Sequence, residues 1–368
     1  MAIAFAEPRN LVLFLNGRSA LYSILKAIGV GAGDEVILQA FTCLAVPLPI
    51  LYLNASPVYV DIDPETLCME TADMERKITP KTRAIIVQHT YGKLADLRAV
   101  CRIAEKHNIA IIEDCCHRFD FHYSPSEMAP VRHFAFFSFE WGKQIVAGYG
   151  GCATTGHQTL LQSIEDVRSQ LAVCPPLKRG SLRLLNLLHR IVLRPAIFWQ
   201  IRSLYRWASS VGLLKGTFSD SELSGQMTSS LFSLSKSQEK RIRKKIKLSA
   251  SAQKHRAGVQ TFYFNFPIVN ESCIYQNPPD LLMRLPIRVK NKPFLLEQAR
   301  KEGIELGDWY VTPVHPLKRH QLESIGYIAG SCPHSEKACD EIITLPMHDK
   351  ISSTHQEKII SFLHRHSQ

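Results

Sequence analysis

No run of about eighteen consecutive apolar residues occurs in this chain, so the sequence offers no transmembrane helix. The opening residues, MAIAFAEPRN, lack the basic start and the long apolar stretch of a secretory signal. Together these two absences lead us to expect a cytoplasmic protein. Also missing is any CxxC pair among the ten cysteines, at 43, 68, 101, 115, 116, 152, 174, 273, 332 and 339. Irregular spacing of that kind argues against a zinc framework, and we expect no metal site. In an intracellular chain such thiols read as small buried hydrophobes. There is no internal repeat and no low-complexity tract.

What is present is an ordinary globular balance. The 368 residues are 45% hydrophobic and 21% charged, enough for a large core or two domains. The formal net charge is +11, a sign that suits anionic partners. Much of that excess sits in EKRIRKKIK, 239–247, which reads first as a solvated helix face. No nucleic-acid partner is expected from it.

The first 155 residues alternate. SALYSILKAIGV has helical spacing and runs into Gly31 and Gly33; EVILQA and PVYVDID read as strands. RAIIVQHT, IAIIEDC and HFAFFSF are almost wholly apolar, as strands buried on both faces must be. LADLRAVCRIAEKHN between them carries apolar residues three and four apart. The expected fold is α/β, a mainly parallel central sheet with flanking helices. A second, smaller α+β unit follows, from MRLPIRV, FLLEQARKEGI and the helix–strand–helix pattern of the tail. We place the division at 1–255 and 256–368, with a basic helical insert at about 160–255. Within it, LRLLNLLHRIVLRPAIFWQIRSLYRW reads first as an amphipathic segment packed on the body or a partner subunit. Its second reading is a segment lying on an anionic membrane surface.

Three stretches carry chemistry. NGRSALYSIL sets Gly17, Arg18 and Ser19 at a helix start, where backbone amides, a hydroxyl and a guanidinium make a phosphate cradle. The plain alternative is Ser19 as an N-cap. IIEDCCH ends a buried strand with Asp114, placed to meet a ring-nitrogen cation, and His117 follows three residues on. FFSFEWGKQIVAGYGG places Lys143 five residues after Ser138 and ahead of Gly148, Gly150 and Gly151. A partly desolvated lysine is a nucleophile for a carbonyl, and the glycines would let backbone approach a bulky ligand. Lysine, aspartate and a hydroxyl-lined phosphate site are together the set that pyridoxal 5'-phosphate requires.

These stretches, in this order, resemble the DegT/DnrJ/EryC1/StrS family, sugar aminotransferases among the fold-type I pyridoxal-phosphate enzymes. NASPVYVDIDPETL, ITPKTRAIIVQHTYGKLADL and CPHSEKACDEIITLPMH extend the likeness over nearly the whole chain. The resemblance implies Lys143 as the Schiff-base lysine, Asp114 as the partner of the pyridine nitrogen, and His117 near the ring hydroxyl. It implies Ser138 with Gly17, Arg18 and Ser19 at the phosphate, and Cys43, in Phe41-Thr42-Cys43, at the position of the stacking aromatic. His89, Tyr91 and His315 would lie near the substrate. Departures are Arg18 for a threonine, Cys43 for an aromatic ring, Arg132-His133 for Gly-Asp, Tyr149 for an acid, and a short arm before the phosphate turn. The stretch SELSGQM, 221–227, stands near the place of the asparagine by which a neighbouring subunit reaches the phosphate.

The resemblance thus implies a homodimeric aminotransferase that moves an amino group from glutamate to a keto sugar carried on a nucleotide diphosphate. A nucleotide-sugar dehydratase is the alternative within the same cofactor chemistry. A non-catalytic binding or regulatory protein on the same fold is the alternative outside it.

Overall fold

The computed structural model describes residues 11–119, 132–192, 218, 220–223, 231–275 and 280–366, the side chains of 185–192, 220, 221 and 250 excepted. The first arm, part of SELSGQM and residues 193–217 of the basic segment lie outside the described residues.

The apolar segments form one seven-stranded sheet in the order β1-β8-β7-β6-β5-β2-β4. Five strands run parallel: β2 (Glu35–Gln39), β4 (Ser56–Val60), β5 (Thr82–Gln88), β6 (Ala110–Asp114) and β7 (His133–Ser138). Each was legible as a strand because a sheet covered on both faces leaves no polar face to its members. β6 and β7 are buried at every position. The sheet is closed on one side by β8 (Gly151–Thr155) and β1 (Val12–Phe14), both antiparallel to their neighbours.

Helix Gly17–Ala27 covers one face, burying Ala20, Leu21, Ile24 and Leu25 completely. Helix Leu97–His107 lies on the other, starting on the Asp96 carboxylate, which accepts from the Ala99 N–H at 3.1 Å. It stops at Asn108, whose φ of 53° ends the helix in the left-handed region.

The C-terminal part pairs β9 (Arg284–Arg288) antiparallel with β11 (Ile342–Pro346). Helices Lys292–Lys301, Pro333–Glu341 and Ser353–His366 belong to the same part. The boundary expected at 255/256 falls inside helix Ala250–Phe264. The core of this part, with Val259, Tyr263, Leu295, Ile343 and Phe362, also takes in Phe41 and Tyr91 from the first part. A parallel bridge joins β3 (Thr42–Cys43) to β10 (Val314–His315) and sets His315 beside Cys43. The seam between the two parts therefore runs past the carboxyl ends of the parallel strands, where α/β sheets bind ligands.

Candidate active site

Asp114 and Ser138 are the last residues of β6 and β7, so chain direction alone puts both at that edge. Asp114 is 4% exposed, and the Cys116 N–H donates to its Oδ1 at 2.9 Å. Burial pushes the Asp114 carboxyl up; the Cys116 amide and the Lys143 charge pull it part of the way back. A carboxylate held this way gains from a fixed cation brought against it.

Lys143 sits on a loop pinned at both ends. The Phe139 N–H donates to the Gly150 carbonyl at 2.8 Å, and the Phe139 carbonyl accepts from Ala147 at 2.8 Å and Gly148 at 3.1 Å. The lysine is half-buried, its Nζ 5.6 Å from the centre of the Trp309 ring. Its charge pulls down the pKa of Cys43, Asp114, Cys116, His117 and Glu140, so these groups surround one cation. Glu140 is itself pushed up by burial against the pull of Arg18 and Lys143.

His117 is held as a neutral ring. Its Nδ1 accepts from the Tyr91 N–H at 3.3 Å, which leaves the proton on Nε2, 3.4 Å from the Tyr310 hydroxyl. Burial drives its pKa well below the ordinary value, and the Lys143 and Arg284 charges add to that. The ring lies nearly parallel to those of Tyr91, Trp309 and Tyr310, with centres 6.1 to 6.3 Å away.

At the helix start, a side chain on Gly17 would reach the Ser138 Cβ at 3.4 Å and the Cys116 Sγ at 3.5 Å. The turn that opens helix Gly17–Ala27, the end of β7 and the loop after Asp114 thus meet at one place. The N-cap is Asn16, not Ser19: the Asn16 Oδ1 accepts from both the Ser19 N–H and the Ser19 hydroxyl at 2.9 Å. Arg18 is buried with its guanidinium paired to Glu222 and 5.0 Å from the Phe218 ring centre. Tyr52 donates to the same Glu222 carboxylate at 2.9 Å.

Two glycines of GYGG do other work than expected. The Cβ position of Gly151 lies 2.5 Å from the Asn16 carbonyl carbon, and that of Gly150 lies 2.6 Å from Ile242. They let chain approach chain, not a ligand.

His89 is not brought to the substrate side. It is fully buried, accepts from the Ala95 N–H on Nδ1 at 3.3 Å, and donates from Nε2 to Glu113 at 2.9 Å. Glu113 precedes Asp114 in β6, so its side chain leaves the opposite face of the sheet. His133 binds the other Glu113 oxygen, which explains the departure at that position: the histidine completes a buried His–Glu–His bridge. His89, Glu113 and Cys115 offer ligand atoms within 4.8 Å of one another, but the His89 Nε2 carries the proton it gives to Glu113. Tyr91 is fully buried too, at a φ of 54° that a bulky side chain rarely adopts, and donates to the Trp309 carbonyl. Phe41, next to the expected stacking position, shares this strain with φ 60° and packs edge-on to Tyr310 at 4.9 Å. Cys43 and His315 are half-buried, and His315 lies 5.8 Å from Tyr310 and 6.1 Å from Trp309.

Sequence reasoning missed Trp309, Tyr310 and Arg284. The Arg284 guanidinium lies 4.7 Å from the Trp309 ring centre, on the ring that Lys143 also approaches. The available signal was a charged residue opening the apolar strand MRLPIRV, and two aromatics just ahead of His315. A cleft of about 490 Å³ between helices Ala250–Phe264 and Ser353–His366 contains none of these residues.

A mostly parallel seven-stranded sheet, with a lysine and a buried aspartate at its carboxyl edge, defines a fold-type I pyridoxal-phosphate transferase fold. The chain belongs to the DegT/DnrJ/EryC1/StrS aminotransferase family, whose model matches residues 2–173 and 226–364. It is 41% identical over 171 residues to an L-glutamine:2-deoxy-scyllo-inosose aminotransferase of Micromonospora echinospora, a match covering 46% of this chain and 41% of that one. It is 37% identical over 170 residues to a GDP-perosamine synthase of Caulobacter vibrioides, covering 45% and 46%. The matched stretches span less than half the length of these relatives. Among solved structures, NtdA of Bacillus subtilis with bound cofactor PMP superposes with a TM-score of 0.71 at 18% identity, covering 96% of this chain and 72% of that one. No described helix is long and apolar enough to cross a membrane.

Proposed function

We propose that this chain is a pyridoxal-phosphate-dependent sugar aminotransferase. The observation that carries the reading is the convergence of Lys143, Asp114 and His117 with the Gly17–Ser138 contact at the carboxyl edge of the sheet. These residues fit the cofactor: an amine for its aldehyde, a buried carboxylate for its ring nitrogen, a helix start and a hydroxyl for its phosphate. When bound, the cofactor supplies an electron sink that stabilises a carbanion at the carbon bearing nitrogen. Asp114 would keep the ring nitrogen protonated. The Lys143 amine would hold the aldehyde and, when free, would carry a proton to and from that carbon. His117, neutral and fixed by the Tyr91 amide, holds position beside the ring without adding charge. The Trp309 ring would cover one side of the Lys143 amine.

The acceptor of this reading is a keto sugar on a nucleotide diphosphate and the donor is glutamate, in a homodimer. The likeness to a GDP-perosamine synthase supports the nucleotide. A second reading rests on the relative named for L-glutamine and 2-deoxy-scyllo-inosose: a cyclic polyol ketone as acceptor and glutamine as donor. Purified protein with added cofactor should show the visible absorption band of lysine-bound pyridoxal phosphate, and glutamate or glutamine should bleach it. Lys143→Ala should lack the band and turn over at least a thousandfold slower, the loss of a nucleophile and proton carrier together (~10³ or more). A Lys143→Ala protein of full rate would end the assignment, and whichever donor bleaches the band decides between the readings.

A further inference from the structure

The net positive charge of this protein comes from two segments. Residues 174–225, the stretch that the family model does not match, carry eight lysines and arginines against two acids. Helix Lys236–Lys247 carries seven against one. These two segments hold twelve net positive charges, against +11 for the whole chain, so the rest is close to neutral.

The described start of the first segment lies beside the second. The Arg183 guanidinium reaches the Ser237 hydroxyl at 3.5 Å, and the Lys178 Nζ sits 4.5 Å from the Phe232 ring centre. Helix Lys236–Lys247 buries Gln238, Ile242 and Ile246, which turns Lys240, Arg241, Lys244 and Lys245 outward. Beside this basic face stand aliphatic side chains that no described residue covers. Leu177 is 90% exposed and Leu184, two turns along helix Pro176–Val192, is 58% exposed; Leu248 at the end of the basic helix is 62% exposed. Of the stripe expected to pack on the body or a partner subunit, Leu182 packs against the core and Leu184 stays exposed. The sequence beyond, RPAIFWQIRSLYRW, continues the same mixture of arginine with aromatic and aliphatic residues.

We propose that this face docks on an anionic membrane surface. Basic residues interleaved with exposed leucines match a layer with negative headgroups over hydrocarbon. A nucleic acid would use the charge and leave the leucines in water. A second copy of this chain meeting the same face would set one basic helix against another. The proposal stands apart from the catalytic reading, because Lys240, Lys244, Lys245, Leu177 and Leu184 are not among the residues assigned to the cofactor.

The test is co-sedimentation of the full chain with vesicles of phosphatidylcholine alone and of phosphatidylcholine mixed with phosphatidylglycerol. Binding to the mixed vesicles only, weakening as salt rises, is expected. Each of Lys240→Gln, Lys244→Gln and Lys245→Gln should weaken it about fivefold. Leu177→Ser with Leu184→Ser should weaken it about tenfold or more. The lysine variants should keep their circular dichroism and cofactor binding. Four results would overturn the proposal: no vesicle binding, equal binding to both vesicles, retention on duplex DNA but not on vesicles, or a Leu177→Asp variant that splits a dimer in solution.

Discussion

Gly151→Ala tests whether the phosphate turn is held in place by the strand behind it. Gly151 opens β8 and pairs with Phe14 on one side and Ser138 on the other. A methyl group there would stand 2.5 Å from the Asn16 carbonyl carbon, and 2.6 Å from both its oxygen and the Gly17 nitrogen. All three are backbone atoms, so no side chain can swing aside. The turn would have to retreat by about 1 Å to reach ordinary contact distance. Overpacking of this kind costs about 1–3 kcal/mol. Asn16 is also the N-cap, its Oδ1 accepting twice from Ser19, and disturbing it adds about 1 kcal/mol. We therefore expect a loss of about 2–4 kcal/mol, read as a lower urea midpoint of the cofactor-free protein. A second readout isolates the site: the preference for pyridoxal phosphate over pyridoxal should shrink, because the retreating turn carries the amides meant for phosphate. Gly156→Ala is the control, with nothing within 4 Å of the added carbon. An unchanged midpoint together with an unchanged phosphate preference would refute the reasoning.

Asp114→Asn should lose bound cofactor on gel filtration, while the cofactor-free protein keeps or gains stability at neutral pH. Its raised carboxyl pKa means that folding works against ionisation there, so removing the charge removes that opposition. Glu113 has the reverse sign. Burial alone would raise it, but His133 and His89 outweigh burial and hold its carboxyl below the ordinary value. Its contribution is then complete above the unfolded pKa, near ~4.3, and is lost as pH falls through the folded value. Glu113→Gln should cost about 1–3 kcal/mol at neutral pH, and acid titration of both proteins should show that gap closing as pH drops. Gly258→Ala, in helix Ala250–Phe264 with nothing within 4 Å of the new carbon, should stabilise by about 0.5–1 kcal/mol in the same urea assay.

The parallel strands were legible because burial on both faces writes itself as unbroken apolar runs, and Asp114 and Ser138 as strand ends were legible with them. β1 and β8 were not. One is three residues long, and the other, GCATT, reads as small and polar, because close approach to Asn16 demands a glycine there. The lysine, the aspartate and the turn could be assigned by order along the chain. Trp309, Tyr310 and Arg284 could not, since their place depends on how the C-terminal part folds back against the sheet edge. His89 failed for a different reason: a histidine at the end of a parallel strand looks like a ligand group until the residue across the sheet is known.

That residue joins the fold to the site. Glu113 and Asp114 are neighbours on one strand, and the pleat sends them to opposite faces. Both carboxyls are buried, and each needs a cation or hydrogen-bond donors to stay charged. Glu113 finds its donors within the chain, in His89 and His133, and is held low. Asp114 has the Cys116 amide and the charge of Lys143, and is still pushed up. One strand thus carries a carboxylate that the fold has satisfied beside one that it has left wanting a cation. In the function proposed above, a pyridinium nitrogen would be that cation. The bridge beneath it locks β6 to β5 and β7, so that the strand end bearing Asp114 is fixed before that partner arrives.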